Sequence, residues 1–508
     1  MQAIGEALAA LAALLHLAAC THYGYFRDEL YFIACAKHLA WGYVDQPPLV
    51  AFAAWLSTPF GYALPALRAL PMLAAALTVW LAVRLARELG GGRYAQWLTG
   101  VAVLLTPAYL LLGSTLTTTS FEPLSWTLAI FAAVRIVRGG GRRWWIGAAL
   151  AVAFGAYGKY SIGLLVAGLV AGLACTRERS MLRTWWLPGS ALLALLLLSP
   201  NLWWQAAHGF PMIAVLLGDA AHRPAMQNGV AFEYHSLLAN GVAFTLEQLI
   251  YTSPPAAIVW AAGLVAPFAY RPLGRVRFVA VAYAAIFAVA VALGAKGYYV
   301  VGIYASLLAI GAVAIEAVAT AWLRGFLLAV VAAVGIVAMP MSLPLLPVDT
   351  LIAYTRFFGL TGRGGAPAHL IQPVFAEEFG WDRLARDVAA VYDELPAADR
   401  ASVAIYADTY GDAGALGLYG PRYGLPPAIS SQNTYYLWGP GAYDGKVLIA
   451  IGATRIDLLR RYYRSVVLVR ESIEPYKWVV EGPAPIYLCR DPVAPLREIW
   501  PHLRWYGA

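Results

Sequence analysis

The sequence predicts a polytopic α-helical membrane protein with a soluble α/β domain at its C-terminal end, and three observations predict it. First, 61% of the 508 residues are hydrophobic and 13% are charged, where a soluble chain would carry about 25% charged residues. Second, long apolar segments alternate with short arginine-rich loops over residues 1–346. Third, mixed polar sequence with β-branched runs replaces them over residues 347–508. The formal net charge of +8 is spread among the loops, which reads as an orientation signal and not as a nucleic-acid footprint. Cys20, Cys35, Cys175 and Cys489 are far apart and lack C-x-x-C spacing, so neither a zinc site nor a disulfide framework is suggested.

A spanning helix needs roughly 20 mainly apolar residues. About 11 transmembrane helices fit near 4–20, 63–83, 95–113, 121–137, 144–157, 161–175, 185–204, 255–270, 278–294, 298–319 and 325–345. The first lacks the basic start and polar cleavage region of a signal peptide, so it is read as a retained anchor. The basic loops 84–93, 135–143, 177–183 and 271–277, with Arg324, are assigned to the cytoplasm by the positive-inside rule. The N-terminus is then cytoplasmic and the C-terminal domain extracytoplasmic. Loops 21–62, 114–120, 158–160, 205–254 and 295–297 fall on the outer face and hold most acidic, His and amide residues of this half.

Two of those outer loops are long and carry helical patterns. In the first, Leu30, Ile33, Ala34, Lys37, His38 and Trp41 recur at helical spacing, and Pro47-Pro48 opens an apolar stretch too short to span. In the second, "HGFPMIAVLLGDAAHRP" and "FEYHSLLANGVAFTLEQLIYTSPP" repeat the theme. Amphipathic helices lying on the outer membrane surface are expected from both. Beyond residue 347, "EEFGWDRLARDVAAVYDEL" reads as a helix, and "SVAIYAD", "KVLIAIG", "SVVLVRE" and "APIYLCR" read as strands. The Gly-, Pro- and Tyr-dense block 408–440 has no sustained period, as long functional or capping segments often do not.

Five blocks in order, "RDELYFIACAKHLAWGYVDQPPLVAF", "LTTTSFEPLSWTL", "SPNLWWQAAHGFP", "AKGYYVVGIYASLLAIGAVAIE" and "YGDAGALGLYGPRYGLPPAISSQNTYYLWGP", resemble bacterial glycosyltransferase family 39. This group contains relatives of protein O-mannosyltransferases and of the lipid A aminoarabinose transferase. The resemblance implies a GT-C fold, a polyprenyl-phosphate-linked sugar donor and inversion at the anomeric carbon. It also implies an outer-face active site, with an acidic residue of the first outer loop near the reacting centre. The membrane in question would be a bacterial inner (plasma) membrane, and the acceptor a lipid, a glycan of the cell envelope or a protein.

Such a transfer needs a base for the acceptor hydroxyl and cations for the departing phosphate. Asp28 is the candidate base, with Glu29 as alternative or helper; a helix cap is the competing role for Asp28. Tyr25 and Tyr31 are candidates for a sugar-facing wall, and His38, Asp45, Gln46 and Glu122 for the substrate groove. Lys159 and Lys296 are the lysines of the outer hairpins and run against the positive-inside tendency, which suits a phosphate partner; snorkelling to headgroups is the alternative. Tyr298 and Tyr299 beside Lys296 would bond the phosphate or join the aromatic belt. His38, His208, His222 and His235 face outward but match no compact metal motif. Thr119-Ser120 stands where family relatives often carry an acidic or amide residue, so dependence on a divalent cation stays open. A transporter or lipid flippase is the alternative function, although charges crowd the outer rim and no internal repeat is visible.

Overall fold

The computed structural model describes residues 3–221, 237–359, 371–452, 456–477 and 483–507. His222 and His235 lie outside the described residues. The chain divides into two compact units: residues 1–21, 68–202 and 230–346 form the first, and residues 22–67, 203–229 and 347–508 the second. The first long outer loop and part of the second therefore belong with the C-terminal residues, a grouping that hydropathy cannot reveal.

Among the described residues the regular elements of the first unit are all helices, and each apolar segment identified above holds one. Among the described residues, five helices are long and apolar enough to cross a membrane: Ala69–Glu88, Trp186–Ala207, Arg271–Leu293, Gly297–Val318 and Ala321–Met341. The number becomes seven if the bent pairs Arg93–Leu104 with Pro107–Ser114 and Leu237–Thr252 with Pro254–Ala269 are each one span. The second pair bends by 111° at Ser253, whose φ of 73° turns the chain where Pro254 forbids simple continuation. The predicted span at 63–83 starts later, at Ala69. Arg68 just before it is fully buried and donates from Nη1 to the Cys20 carbonyl at 2.9 Å.

Small residues permit close helix packing in this unit, as they do where lipid supplies no hydrophobic drive. A Cβ at Gly263 would collide with the Leu307 carbonyl, and one at Gly311 with the Val259 carbonyl. Helices Pro254–Ala269 and Tyr304–Val318 therefore meet backbone to backbone. Two of the arginine-rich loops are tied by Glu88, which pairs with Arg135 at 2.6 Å and Arg138 at 3.8 Å.

The second unit contains a five-stranded sheet: β1 Ala404–Ala407, β2 Ala428–Ile429, β3 Val447–Ile451, β4 Tyr463–Ser472 and β5 Ala484–Pro492. The order is β2-β1-β3-β5-β4, parallel between β1 and its two neighbours and antiparallel at β3-β5 and β5-β4. All four β-branched runs form strands, and the predicted helix forms over Trp381–Asp393. The strand β2 and helices Tyr410–Tyr419 and Asn433–Trp438 arise from the block without a period. In the same unit, the first outer loop supplies helices Arg27–Lys37 and Leu49–Leu56.

Candidate functional site

Within the second unit, helix Arg27–Lys37 begins at an acidic first turn, where carboxylates suit the positive end of the helix dipole. Glu29, at the third helical position, is fully buried and accepts the Phe26 N–H at 2.9 Å. The cap expected of an acidic residue here is thus made by Glu29. Asp28 points elsewhere. Its Oδ1 accepts from Tyr410 Oη at 2.9 Å and from Arg27 Nε at 3.5 Å. Its Oδ2 has no hydrogen bond among the described residues, and its side chain is 28% exposed.

A second carboxylate lies in the same neighbourhood. Asp45 Oδ1 accepts from Tyr31 Oη at 2.7 Å, and Oδ2 from Asn433 Nδ2 at 2.9 Å. The rings of Tyr31 and Tyr410 stack with centroids 4.7 Å apart, so two tyrosine–aspartate pairs run side by side. Burial holds both phenols well above their ordinary range, which keeps them as neutral donors. Arg27 lies over the Tyr410 ring at 5.4 Å and pairs with Glu377 at 3.5 Å.

The remaining groove candidates separate. Gln46 is buried, with Nε2 donating to Cys35 Sγ at 3.5 Å. Tyr25 donates to the Tyr62 carbonyl at 3.0 Å and meets Tyr419 edge-on. His38 is exposed and stacks on Trp438 with centroids 4.5 Å apart. His208 stacks on Trp204 at 4.0 Å. The sequence reading missed Tyr410, Asn433 and Thr434, all in the block without a period. Thr434 Oγ1 is 2.7 Å from Tyr31 Oη and accepts the Val44 N–H. Asn433 adopts φ 49°, a left-handed conformation that Asn tolerates better than most residues. It is held there by Gly507 N–H on its Oδ1 and by its own N–H on the Trp505 carbonyl.

Burial pushes the Asp45 carboxyl up to about 7, Asp28 adds to the rise, and the Tyr31 and Asn433 hydrogen bonds oppose it. The folded protein therefore holds this proton between the ordinary value of 3.8 and about 7, where the unfolded chain releases it. Stability contributed by the neutral form is complete below 3.8 and is lost as pH rises toward 7. Thermal unfolding from pH 5 to 7 should show a steeper fall for the wild type than for Asp45→Asn, by at most about 1.4 kcal/mol per pH unit. Equal slopes would place the titration elsewhere.

The first unit builds a separate cluster. Helix Arg143–Gly158 ends at Lys159, and helix Glu122–Val137 starts at Glu122. Lys159 Nζ donates to Thr119 Oγ1 at 3.0 Å and lies 4.6 Å from the ring centroids of both Tyr298 and Tyr299. Glu122 is 3% exposed; its Oε1 accepts from Ser161 Oγ at 2.5 Å. Its Oε2 stands 3.9 Å from Lys159 Nζ and has no hydrogen-bond partner among the described residues. Lys296 lies near enough to act on the charge of Lys159; its carbonyl accepts the Tyr299 N–H at 3.0 Å, and its ammonium has no ion pair or hydrogen bond among the described residues. Its segment is clamped at Gly297, whose N–H donates to Glu247 and whose carbonyl accepts from Gln248 Nε2 at 3.1 Å. A Cβ there would strike the Glu247 carboxylate, which explains the glycine. Among the described residues, no three His, Cys, Asp or Glu side chains gather to hold a metal ion.

Comparison with known proteins agrees with this architecture. The model of the family "Dolichyl-phosphate-mannose-protein mannosyltransferase" matches residues 45–204. No curated protein matches. Among solved structures, ArnT from Cupriavidus metallidurans in the apo state aligns with TM-score 0.64 at 15% identity, over 95% of this chain and 97% of that one. The same protein bound to undecaprenyl phosphate aligns with TM-score 0.61 at 14% identity, over the same shares. The helical membrane half and the sheet-bearing C-terminal half are thus matched together. The chain therefore shares the fold of ArnT, with helices long and apolar enough to cross a membrane several times, and residues 45–204 are similar in sequence to the dolichyl-phosphate-mannose-protein mannosyltransferase family.

Proposed function

We propose that this chain transfers one sugar, with inversion, from a polyprenyl-phosphate-linked donor to an acceptor hydroxyl outside the cytoplasm of a bacterial inner membrane. The acceptor class is a lipid, an envelope glycan or a protein. The carrying observation is the lysine cluster. Among the described residues, Lys159 is held by one hydrogen bond and two aromatic faces, beside a second lysine and a single carboxylate 3.9 Å away. Two cations gathered among tyrosines suit a phosphate monoester, which leaves with its charge concentrated on terminal oxygens. Asp28 supplies the base: one oxygen is oriented by Tyr410 and the other has no hydrogen bond among the described residues. Support also comes from the shared fold with ArnT, which has been seen with undecaprenyl phosphate. The arginine-rich loops supply the orientation.

Lys159→Ala and Lys296→Ala test the phosphate role. Each should weaken binding of undecaprenyl phosphate to the purified full-length protein by about 10- to 100-fold, the range for losing a charge-assisted hydrogen bond. Binding of undecaprenol, which lacks phosphate, should not change. Wild-type affinity in both variants would return the lysines to headgroup snorkelling. Tight lipid binding without sugar transfer, across a panel of donors and acceptors, would favour a flippase.

A further inference from the structure

The proposed reaction leaves Glu122 unused, although burying a carboxylate at the end of a membrane helix is costly. Its two oxygens are treated unequally. Oε1 receives the Ser161 hydroxyl at 2.5 Å, which fixes the side chain. Oε2 is buried without a hydrogen bond among the described residues and faces Lys159 Nζ at 3.9 Å. That separation is an ion pair but lies beyond hydrogen-bond reach. The ammonium has three N–H groups, and the one hydrogen bond it makes among the described residues goes to Thr119 Oγ1 at 3.0 Å. Its other neighbours are the faces of Tyr298 and Tyr299. A lysine meant only to neutralise Glu122 would close to about 2.8 Å.

We infer that Glu122 is an exchangeable counter-ion: it holds Lys159 in the empty site and yields it to the phosphate of the lipid ligand, weakening product binding so that the spent lipid phosphate can leave. This inference rests on the phosphate reading above and adds a positioning role that the reading does not require. Both lysines favour an anion, and one fixed carboxylate beside Lys159 opposes the arrival of a second. Glu122 therefore lowers phosphate affinity while keeping the lysine oriented. Removing its charge strengthens phosphate binding, where a purely structural residue would weaken it.

The test uses purified full-length protein and undecaprenyl phosphate as the probe. Glu122→Gln keeps the shape and the Ser161 contact and removes the charge. It should bind undecaprenyl phosphate about tenfold more tightly than wild type. Steady-state turnover should fall as release slows, while the single-turnover rate is retained. In the Lys159→Ala background the same substitution should give no gain. Glu122→Asp retains the charge but withdraws it, and should give a smaller gain; it also serves if Glu122→Gln does not fold. Affinity equal to or below wild type in a folded variant overturns the exchange. If Lys159→Ala weakens binding while Glu122→Gln leaves it unchanged, the exchange alone fails. If wild type does not bind the probe, or Lys159→Ala binds it normally, the phosphate reading fails with it.

Discussion

Asp28→Asn is expected to lower the sugar-transfer rate by about 10²- to 10⁴-fold, the usual contribution of a positioned general base. The amide preserves the size of the side chain and can still accept from Tyr410 Oη, so the hydrogen bond at 2.9 Å and the fold should both survive. What it loses is the ability to take a proton from an acceptor hydroxyl. Affinity for undecaprenyl phosphate should therefore be unchanged. Tyr410→Phe provides the graded comparison: Asp28 keeps its carboxyl group but one oxygen loses its orienting donor, and a loss nearer tenfold is expected. Asp45→Asn separates the two carboxylates. Both Asp45 oxygens already accept hydrogen bonds, so it should act on the position of Tyr31 more than on proton transfer. Unchanged transfer in Asp28→Asn with a large loss in Asp45→Asn would move the base to Asp45.

The membrane half was legible because its signal is averaged over many residues. Eleven apolar segments each gave a helix, and no single substitution would have hidden one. The four β-branched runs were legible for the same reason. Asp28 stood out because a carboxylate at the head of an amphipathic helix is unusual beside so much apolar sequence. Its neighbour could not be sorted from it: that Glu29 caps and Asp28 does not depends on which carboxylate faces the chain turn at Phe26. Gln46 looked like Asp45 in sequence, yet adjacent residues in a loop point in different directions, and this one packs on Cys35.

Tyr410, Asn433 and Thr434 were hidden by a different cause. They lie 382, 388 and 403 residues away in sequence from the partners Asp28, Asp45 and Tyr31 that they bond, and their helices have little intrinsic stability. Helix Tyr410–Tyr419 carries glycines at positions 411, 414 and 417, each costing about 1 kcal/mol relative to alanine. Only tertiary packing makes that segment helical, so a local pattern could not announce it.

Those glycines yield the second large expected effect. Gly414→Ala should destabilise the protein by about 1–3 kcal/mol and lower transfer by about 10²-fold, although alanine is the better helix former. At Gly414 a Cβ would meet the Leu30 carbonyl carbon at 2.7 Å and its oxygen at 2.8 Å, both backbone atoms that no rotamer change can move. At Gly411 it would strike the Arg27 side chain. Helices Arg27–Lys37 and Tyr410–Tyr419 must then separate, and they carry the two ends of the Asp28–Tyr410 hydrogen bond. Gly417→Ala is the control in the same helix. Nothing lies within 4 Å of its Cβ position, so stability should rise by up to about 1 kcal/mol with transfer unaffected. Thermal unfolding and transfer rates of the two variants decide the matter. If Gly414→Ala matched Gly417→Ala in both, close approach of the helices would have no part in orienting Asp28, and the tyrosine pair beside it would have to be explained as packing alone.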